Sequence, residues 1–524
     1  MRNWAKYIGM FKNLKNDLPA SLVVFFVALP LCLGIALASG APLFSGVIAG
    51  IIGGIVVGGL SGSSIGVSGP AAGLAVIVFA AIANLGFESF LVAVVIGGAL
   101  QILLGILRAG VIGYYFPSSV IKGMLAGIGI IIFIKQIPLV LGIDSTAFSA
   151  SGVMQFVNSI HPSVVIISVL SLGILLLWDK VLVKKHDLFK VIPGPLVAVV
   201  IGVFYFLFAQ SISGFQISGN HLVSVPVPED FNSFIGQFSF PNFSALSNPE
   251  VWITGFTIAV VASLETLLCV EATDKLDPEK RVTPTNRELI AQGTGNMLSG
   301  FIGGLPITQV IVRSSTNLHA GGKTKLSPIL HGFLILISVI LIPTFLNMIP
   351  IAVLASVLLI VGYKLAKPVL FKQMFSLGAS QFIPFIITVL GVVFADLLIG
   401  IGLGLAVGII TILINSYQNS HFLQVEQQDN GGQIVKMTLA EEISFLNKGA
   451  ILNELNRLPE QTVLELDVRK TVRLNYDILE ILDDFAYTSK QKNIGVKLIT
   501  AQGVVENPNN FSSLLLSKAK SKVA

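Results

Sequence analysis

The sequence WITGFTIAVVASLETLLCVEA, residues 252–272, is an apolar run long enough to cross a membrane, and it carries Glu265 deep within it. A polar stretch follows, and the next apolar segment is interrupted at residues 303–306 (GGLP). An interrupted membrane helix leaves backbone polar groups unpaired, which is tolerated only where they face protein or a wet cavity. A buried acid close to an interrupted helix therefore predicts a binding site inside the membrane.

The composition places the chain among polytopic membrane proteins. Of its 524 residues, 53% are hydrophobic and 12% are charged, against roughly 25% charged residues in ordinary soluble domains. Charged residues are rare over residues 18–418 and return beyond them. We therefore expect a cytoplasmic N-terminus (1–17), a transmembrane domain (18–418) and a cytoplasmic domain with its tail (428–524). No cleavable signal peptide is expected.

Charge, cysteines and motifs argue against other classes. Lys and Arg in cytoplasmic loops explain the net charge of +5, so no nucleic-acid partner is needed. Cys32 and Cys269 lie far apart in apolar runs and predict neither a disulfide framework nor a metal site. The chain has no GxxxxGK[ST] motif and no nucleophile–base arrangement. We therefore predict that it is not an enzyme and needs no cofactor or metal.

Apolar segments of about 20 residues, with interrupted ones shorter, predict the membrane spans. There are fourteen, in two sets of seven that cover residues 18–210 and 251–416. The loops that this topology places in the cytoplasm are rich in Lys and Arg, whereas the long outer segment 210–250 contains neither. The predicted spans are 18–38, 43–60, 68–84, 89–107, 116–134, 162–178, 194–210, 251–272, 286–302, 306–318, 327–346, 350–363, 382–396 and 397–416.

Seven spans in each set make the two halves insert in opposite orientations. Inverted repeats of this kind place the substrate near the midplane, where interrupted helices meet. The interruptions fall at matching positions, since residues 68–73 (SGPAAG) open the third span and residues 303–308 (GGLPIT) open the tenth. The alternative is coincidence, because Gly and Pro are common in membrane helices.

The prolines in these interruptions predict the kind of ligand. Proline is favoured in the first turn of a helix, so Pro70 and Pro306 should each begin a half-helix. A helix start carries roughly half a positive charge and binds anions without a cationic side chain. Two starts that face each other across one cavity favour a small anion, with Ser68, Thr308 and Gln309 around it.

Arg313 is expected two turns into the tenth span, about 10 Å from its start. An arginine at that depth in a membrane is costly. A second positive pole for the anion would account for it. The alternative is a structural ion pair with a carboxylate such as Glu265 or Asp396.

Glu265 is the second candidate site residue, with Cys269 one turn further on the same face. A buried carboxyl group can exchange a proton during transport or hold a cation. The alternative is an acid that only ties neighbouring helices together by hydrogen bonds. Gln292 and Asn296, one turn apart in the ninth span, predict hydrogen bonds between helices.

Several motifs resemble the SulP family of inorganic anion transporters. They are NRELIAQGTGNMLSGFIGGLPITQVIVRSSTNLHAGGKTKLS at 286–327, SGPAAG at 68–73 and LPLCLGIALASGAP at 29–42. The resemblance implies the 7+7 inverted-repeat fold shared with uracil permeases. In that fold a core domain (spans 1–4 and 8–11) moves against a gate domain (spans 5–7 and 12–14), usually within a homodimer. The family's substrates include sulfate, bicarbonate, chloride and some dicarboxylates.

The resemblance also assigns roles by position. It implies that Arg313 lies near the anion and that Glu265 is the acidic residue of the eighth span. Sodium-coupled bicarbonate members have an Asp–Thr pair where this chain has Glu265 and Cys269. Cysteine is a poor ligand for hard Na⁺, so proton coupling, or none, is favoured over sodium. The implied substrate contacts are Ser68, Gly69, Pro70, Ala71, Ala72, Pro306, Ile307, Thr308 and Gln309.

The C-terminal residues alternate strand and helix patterns, which predicts a small α/β domain. The predicted order is QIVKMTLA, GAILNELNRLP, TVLELDV, LNYDILEILDDFAYTSKQ and GVKLIT. This region resembles a compact STAS domain, in which a phosphorylatable Ser or Thr often follows the central strand. The loop at 469–476 lacks the usual D-S-S-G-like turn, so a structural or dimer-supporting role is expected.

Together these features predict a secondary transporter of a small inorganic anion, sulfate or bicarbonate, in the plasma membrane with both termini cytoplasmic. The implied mechanism is of the elevator type, either coupled to protons through Glu265 or uncoupled. One alternative is an anion-binding membrane sensor that signals through the STAS-like tail. A nucleobase permease of the same fold is a second alternative, which Arg313 disfavours.

Overall fold

The computed structural model describes residues 13–115, 117–143, 161–185, 189, 192–212, 215–217, 219–225, 227, 236–395, 397–427 and 433–520. The chain divides into two compact units, Met1–Gly404 and Leu405–Ala524. The described residues of the first unit form helices and two short strands, joined by loops. The second carries a mixed sheet with helices.

Fourteen helices correspond to the predicted spans. The first set is α1 (Leu14–Ala38), α2 (Leu43–Leu60), α3 (Ala72–Leu85), α4 (Phe87–Ile106), α5 (Ser118–Leu141), α6 (Pro162–Lys185) and α7 (Gly194–Ala209). The second set is α8 (Pro249–Leu276), α9 (Thr285–Phe301), α10 (Ile311–His319), α11 (Leu326–Leu341), α12 (Ile351–Leu365), α13 (Ala379–Phe394) and α14 (Leu397–Gln418). Short helices at Pro343–Leu346 and Pro368–Ser376 follow α11 and α12.

Length and apolarity support membrane crossing for most of these helices. Within the described residues, eight helical segments are long and apolar enough to cross, one of which (Ile351–Ser376) joins α12 to the short helix after it. Helices α3, α7, α11 and α13 are shorter apolar helices. The remaining two, α9 and α10, are the most polar of the set, and both carry residues of the candidate site. The polytopic architecture is thus clear, while the count of fourteen crossings rests on the sequence.

The helices of the first unit pack in two groups. In one group α4 packs against α8 and α9, and α1 packs against α2 and α11. In the other group α5 packs against α12 and α13, and α6 against α7 and α12. Glycines permit the close contacts, since a Cβ on Gly98 would lie 2.6 Å from the carbonyl oxygen of Gly293. This grouping agrees with the expected division into spans 1–4 with 8–11 and spans 5–7 with 12–14.

Two short strands bring the two interruptions together. Strand β1 (Ser68–Pro70) precedes α3, and β2 (Ile307–Gln309) precedes α10. They pair antiparallel, with Ser68 opposite Gln309, Gly69 opposite Thr308 and Pro70 opposite Ile307, and all six residues are buried. The convergence of the two interruptions, expected from the inverted repeat, is therefore observed.

The C-terminal unit has the expected small α/β architecture. Its sheet has the order β3-β4-β6-β8-β9, in which β4, β6 and β8 are parallel and the edge strands β3 and β9 are antiparallel. Leu464 and Leu466 of β6 are fully buried, as the alternating pattern of that strand requires. The elements are β3 (His421–Gln427), β4 (Gln433–Leu439), β5 (Glu442–Ile443), α15 (Lys448–Arg457), β6 (Val463–Asp467), β7 (Arg473–Leu474), α16 (Tyr476–Gln491), β8 (Gly495–Thr500), β9 (Gly503–Glu506) and α17 (Phe511–Lys520).

The sequence patterns predicted the three central strands β4, β6 and β8 and the helices α15 and α16, but not the two edge strands of the sheet. Strands β3 and β9 and helix α17 were not predicted. Strand β3 is mostly exposed, so it lacks the buried alternation that marks a strand in sequence.

Candidate functional site

A polar face of α9 holds the two strands in place. The Asn296 side chain accepts a hydrogen bond from the backbone N–H of Ile307 (2.5 Å) and donates to the Ile307 carbonyl (3.0 Å). It also donates to the side-chain oxygen of Gln101 on α4 (2.6 Å). One turn earlier, Gln292 donates to the hydroxyl oxygen of Ser68 (2.7 Å). The predicted hydrogen bond between helices is therefore confirmed for Asn296, through Gln101, whereas Gln292 bonds to strand β1 and to Glu288 on its own helix. Together the two side chains position both strands.

Arg313 is fully buried beside β1. Its Nη2 atom donates to the sulfur of Cys32 and to the carbonyl oxygen of Pro70, each at 3.5 Å. Its Nε and Nη1 atoms have no hydrogen-bond partner among the described residues, and no described carboxylate lies within ion-pair distance. A structural ion pair with Glu265 is thus not observed, and Asp396 lies outside the described residues. The guanidinium keeps unused donors in a fully buried position.

Glu265 lies against the start of α3. Its carboxyl group faces the backbone N–H of Gly73, and a Cβ on Gly73 would lie 2.6 Å from Oε2. The Oε2 atom has no hydrogen-bond partner among the described residues. One turn along α8, the sulfur of Cys269 faces the backbone N–H of Ile311 at the start of α10. The two predicted coupling residues therefore contact the starts of both half-helices.

The predicted polar contacts divide between the two faces of the strand pair, because residues directly opposite each other share a face. Ser68 and Gln309 lie on one face, where Gln309 donates to the hydroxyl of Thr273 on α8 (3.2 Å). Gly69 and Thr308 lie on the other, where the guanidinium of Arg313 packs against Gly69. The Thr308 hydroxyl is buried and has no partner in the described part of the chain.

The predicted starts of the half-helices are wrong. Pro70 ends β1, and α3 begins at Ala72; Pro306 precedes β2, and α10 begins at Ile311. The intervening residues form the strand pair before the chain turns helical. Arg313 consequently lies in the first turn of α10, not two turns into a helix that begins at Pro306.

Backbone N–H groups at the helix starts are also less free than the sequence implied. The N–H of Gln309 points to the hydroxyl of Thr266 on α8 (3.4 Å), and those of Gly73 and Ile311 face Glu265 and Cys269. Helix α8 thus takes up some of the donors that we expected to face the anion. The Nε and Nη1 donors of Arg313 have no partner within the described residues.

The structure adds residues that the sequence did not single out. Cys32 on α1 contacts Arg313 from 281 positions away. His331 is fully buried, and its Nε2 has no partner within the described residues. Lys135 lies inside α5 with its Nζ 3.4 Å from the ring centre of Phe79 on α3. A charged residue within an apolar segment was the signal for Lys135, whereas nothing in the sequence connected Cys32 to Arg313.

The fold and the site define a polytopic membrane protein in which two interrupted helices cross beside a buried arginine with unused donors. The model of the sulfate permease family matches residues 14–388. The chain belongs to that family.

Two curated relatives illustrate the similarity. The chain is 28% identical over 414 residues to YvdB of Bacillus subtilis, covering 76% of this chain and 74% of the relative. It is 25% identical over 455 residues to the bicarbonate transporter BicA of Picosynechococcus sp., covering 84% of this chain and 77% of the relative.

Solved structures establish the fold. The transmembrane domain of a cyanobacterium bicarbonate transporter, BicA, has a TM-score of 0.63 at 24% identity and covers 74% of this chain and 98% of its own. Murine Slc26a9, an anion transporter solved in the inward-facing state, has a TM-score of 0.71 at 16% identity. The match covers 93% of this chain and 85% of the Slc26a9 chain.

Proposed function

We propose that this protein is a secondary active transporter of a small inorganic anion, sulfate or bicarbonate. The observation that carries the proposal is the fully buried Arg313, whose Nε and Nη1 donors have no partner among the described residues. Leaving one partner of a buried ion pair uncompensated typically costs roughly 3–5 kcal/mol. An anion bound at the guanidinium would remove that cost by accepting a charge-assisted hydrogen bond from one of these free donors.

The anion would lie on the Arg313 face of the strand pair, close to Thr308. The unpartnered Thr308 hydroxyl can donate to it, and the starts of α3 and α10 supply the helix-dipole field. The proposed substrate-binding residues remain those named from the sequence: Ser68, Gly69, Pro70, Ala71, Ala72, Pro306, Ile307, Thr308, Gln309 and Arg313. Of these, Ser68 and Gln309 point their side chains to the opposite face of the strand pair, so the side chains closest to the proposed anion are those of Thr308 and Arg313. The names of the relatives, which include high affinity sulfate transporter 1 of Stylosanthes hamata and BicA, support both candidate substrates.

Transport would proceed by an elevator movement within a homodimer in the plasma membrane, with both termini cytoplasmic. The two helix groups of the fold are suited to this movement, because they meet along α1, which packs against α7 and α12. Glu265 would carry a coupled proton, since it contacts the first turn of α3 and keeps an unpartnered oxygen. Coupling to Na⁺ is disfavoured because Cys269 supplies sulfur where a hard cation prefers oxygen.

The test is uptake of ³⁵S-sulfate and ¹⁴C-bicarbonate into proteoliposomes that contain the purified protein. We expect saturable uptake of one of these anions, abolished in Arg313→Gln. Arg313→Lys should retain the charge but lose the fixed planar set of donors, and we expect at least a tenfold fall in Vmax/KM. Anion binding without flux would favour the sensor, and uptake of labelled uracil with no anion uptake would favour a nucleobase permease.

A further inference from the structure

Lys135 is a basic residue within an apolar helix that is long enough to cross a membrane. It lies on α5, which ends at Leu141. Its Nζ atom is 3.4 Å from the ring centre of Phe79 on α3. Within the described residues no carboxylate forms an ion pair with Lys135. A charged side chain at such a position is costly and marks function more often than packing, so the contact with Phe79 calls for a role.

The contact between Lys135 and Phe79 is attractive. Lysine titrates at about pH 10 in water, and Lys135 is only partly buried, so its side chain is an ammonium at neutral pH. An ammonium above the face of an aromatic ring is attracted by the ring quadrupole, most strongly where the pair is shielded from water. The ring also packs on the turn after α1, since a Cβ on Gly40 would lie 3.2 Å from Cδ2 of Phe79.

The two side chains belong to different helix groups. Helix α3 packs against α4 and α8 of the first group, whereas α5 packs against α12 and α13 of the second. Alternating access moves one helix group against the other around the binding site. The contact of Lys135 with Phe79 therefore joins two surfaces that would slide past each other during transport.

The contact lies between the candidate site and the predicted outer surface. Helix α3 begins at Ala72, directly after the strand pair, and Phe79 is about 10 Å further along its axis at 1.5 Å per residue. Gly40, which packs on the same ring, is in the turn between α1 and α2 that the predicted topology places outside. An anion arriving from outside would pass between the helix groups at this level, so the contact closes that route.

We propose that Lys135 and Phe79 form a latch that closes the outer side of the anion pathway and opens in each transport cycle. This inference rests on the proposed function and adds to it one residue from each helix group. Neither side chain is part of the proposed anion site. The latch opens when α3 moves along α5 and carries the ring away from the ammonium.

Cross-linking tests whether the contact must open. Phe79→Cys and Lys135→Cys are combined, and the protein in proteoliposomes is treated with a bifunctional methanethiosulfonate, which joins two thiols through reducible disulfides. The linker replaces the length of the two side chains that are removed. We expect the link to abolish uptake of the anion that the unmodified protein transports, ³⁵S-sulfate or ¹⁴C-bicarbonate, and a reductant to restore it.

Phe375→Cys combined with Phe382→Cys is the matched control. The two rings lie 5.2 Å apart, and both belong to the second helix group, on the short helix Pro368–Ser376 and on α13. A link within one group should leave uptake unchanged. The unmodified protein, which keeps Cys32 and Cys269, and the single-cysteine variants show the effect of the reagent without the link.

Two results would overturn the latch. Full uptake by the linked protein would show that the contact persists through the cycle. An active Phe79→Cys/Lys135→Cys protein in which no link forms would show that the two positions do not meet.

A double-mutant cycle tests the attraction itself. Lys135→Met removes an ammonium that has an aromatic partner in the unmodified protein and lacks one in Phe79→Leu. We therefore expect Lys135→Met to raise the melting temperature by about 2 °C or more in the Phe79→Leu background relative to its effect in the unmodified protein. Lys122→Met, at an exposed position of the same helix, should have the same effect in both backgrounds. Equal effects of Lys135→Met in the two backgrounds would contradict the latch.

The latch and the proposed function fail separately. Uptake of neither anion by the unmodified protein would defeat the proposed function, whereas the melting temperatures would still report whether Lys135 and Phe79 attract each other. Retained uptake by the linked protein defeats only the latch.

Discussion

A Cβ atom added to Gly69 would lie 2.1 Å from Nη1 of Arg313, so the backbone of β1 and the guanidinium group are in direct contact. Four positions further on, a Cβ on Gly73 would lie 2.6 Å from Oε2 of Glu265. Neither glycine has a positive φ, so both are required by close approach and not by backbone conformation. The SGPAAG segment thus sets the positions of the two charged side chains of the candidate site.

Gly69→Ala is expected to displace the guanidinium of Arg313 and abolish anion uptake. The added methyl group cannot fit at 2.1 Å, and the arginine has no free space in a fully buried position. Uptake into proteoliposomes and the melting temperature should be measured together. Gly173→Ala is the control, because a Cβ there meets nothing within 4 Å; equal uptake by the two variants would contradict the prediction.

Glu265→Gln is expected to remove the pH dependence of uptake while the protein stays folded. The amide oxygen can still accept from the N–H of Gly73, but the side chain can no longer exchange a proton. With proton symport, uptake by the unmodified protein rises as the outside is made acidic, and the variant should give a flat profile. Glu271→Gln serves as the control, since Glu271 is a partly exposed acid on the same helix that pairs with Lys275. An unaltered profile in Glu265→Gln would remove this residue from coupling.

Asn296→Ala is expected to destabilise the strand pair. It would leave the N–H and C=O of Ile307 and the side-chain oxygen of Gln101 buried without their partner, at ~1–3 kcal/mol for each group. We expect the apparent melting temperature in detergent to fall by at least about 5 °C. Asn415→Ala, on the exposed face of α14, should melt like the unmodified protein. A fall of similar size in both variants would argue against this role of Asn296.

Asp277, directly after α8, should make stability depend on acidity. Burial opposes its ionisation, but hydrogen bonds from Arg281 and from the N–H of Glu279 outweigh burial and hold its pKa below the usual value. A carboxylate with a depressed pKa contributes stability that is complete above about pH 4, the unfolded value, and is lost as the pH falls through the folded value.

Melting temperatures between pH 3 and 7 test this expectation. Asp277→Asn should melt at a lower temperature than the unmodified protein at pH 7, and the difference should shrink towards pH 3. Glu279→Gln, in the same loop but largely exposed, should follow the unmodified curve. A difference that stays constant with pH would show that the charge of Asp277 is not what matters.

The sequence located the site well because its signals are local. Glycine and proline within an apolar run reveal an interruption, and an acid or arginine in such a run is unusual enough to indicate function. The start of α10 was placed wrongly because a three-residue strand has no periodicity of its own. Strand β2 exists only because β1, more than 200 positions earlier, pairs with it.

The role of α9 shows the same limit. Gln292 and Asn296 were expected to bond between helices, but the pattern did not reveal their partners. Glu288 drew no attention, since an acid near the start of a helix is ordinary in sequence. Its burial and its connection to Ser68 appear only when residues 220 or more positions apart are brought together.

The sequence by itself determined that this is a polytopic membrane protein of the sulfate permease family, with two interrupted helices and an α/β tail, because hydropathy and motif spacing are properties of neighbouring residues. Only the tertiary structure decided that Arg313 has no carboxylate partner among the described residues, and which donors remain unused. Hydrogen bonding in a buried site depends on every group that the folded chain brings within about 3 Å, and most of those groups are distant in sequence.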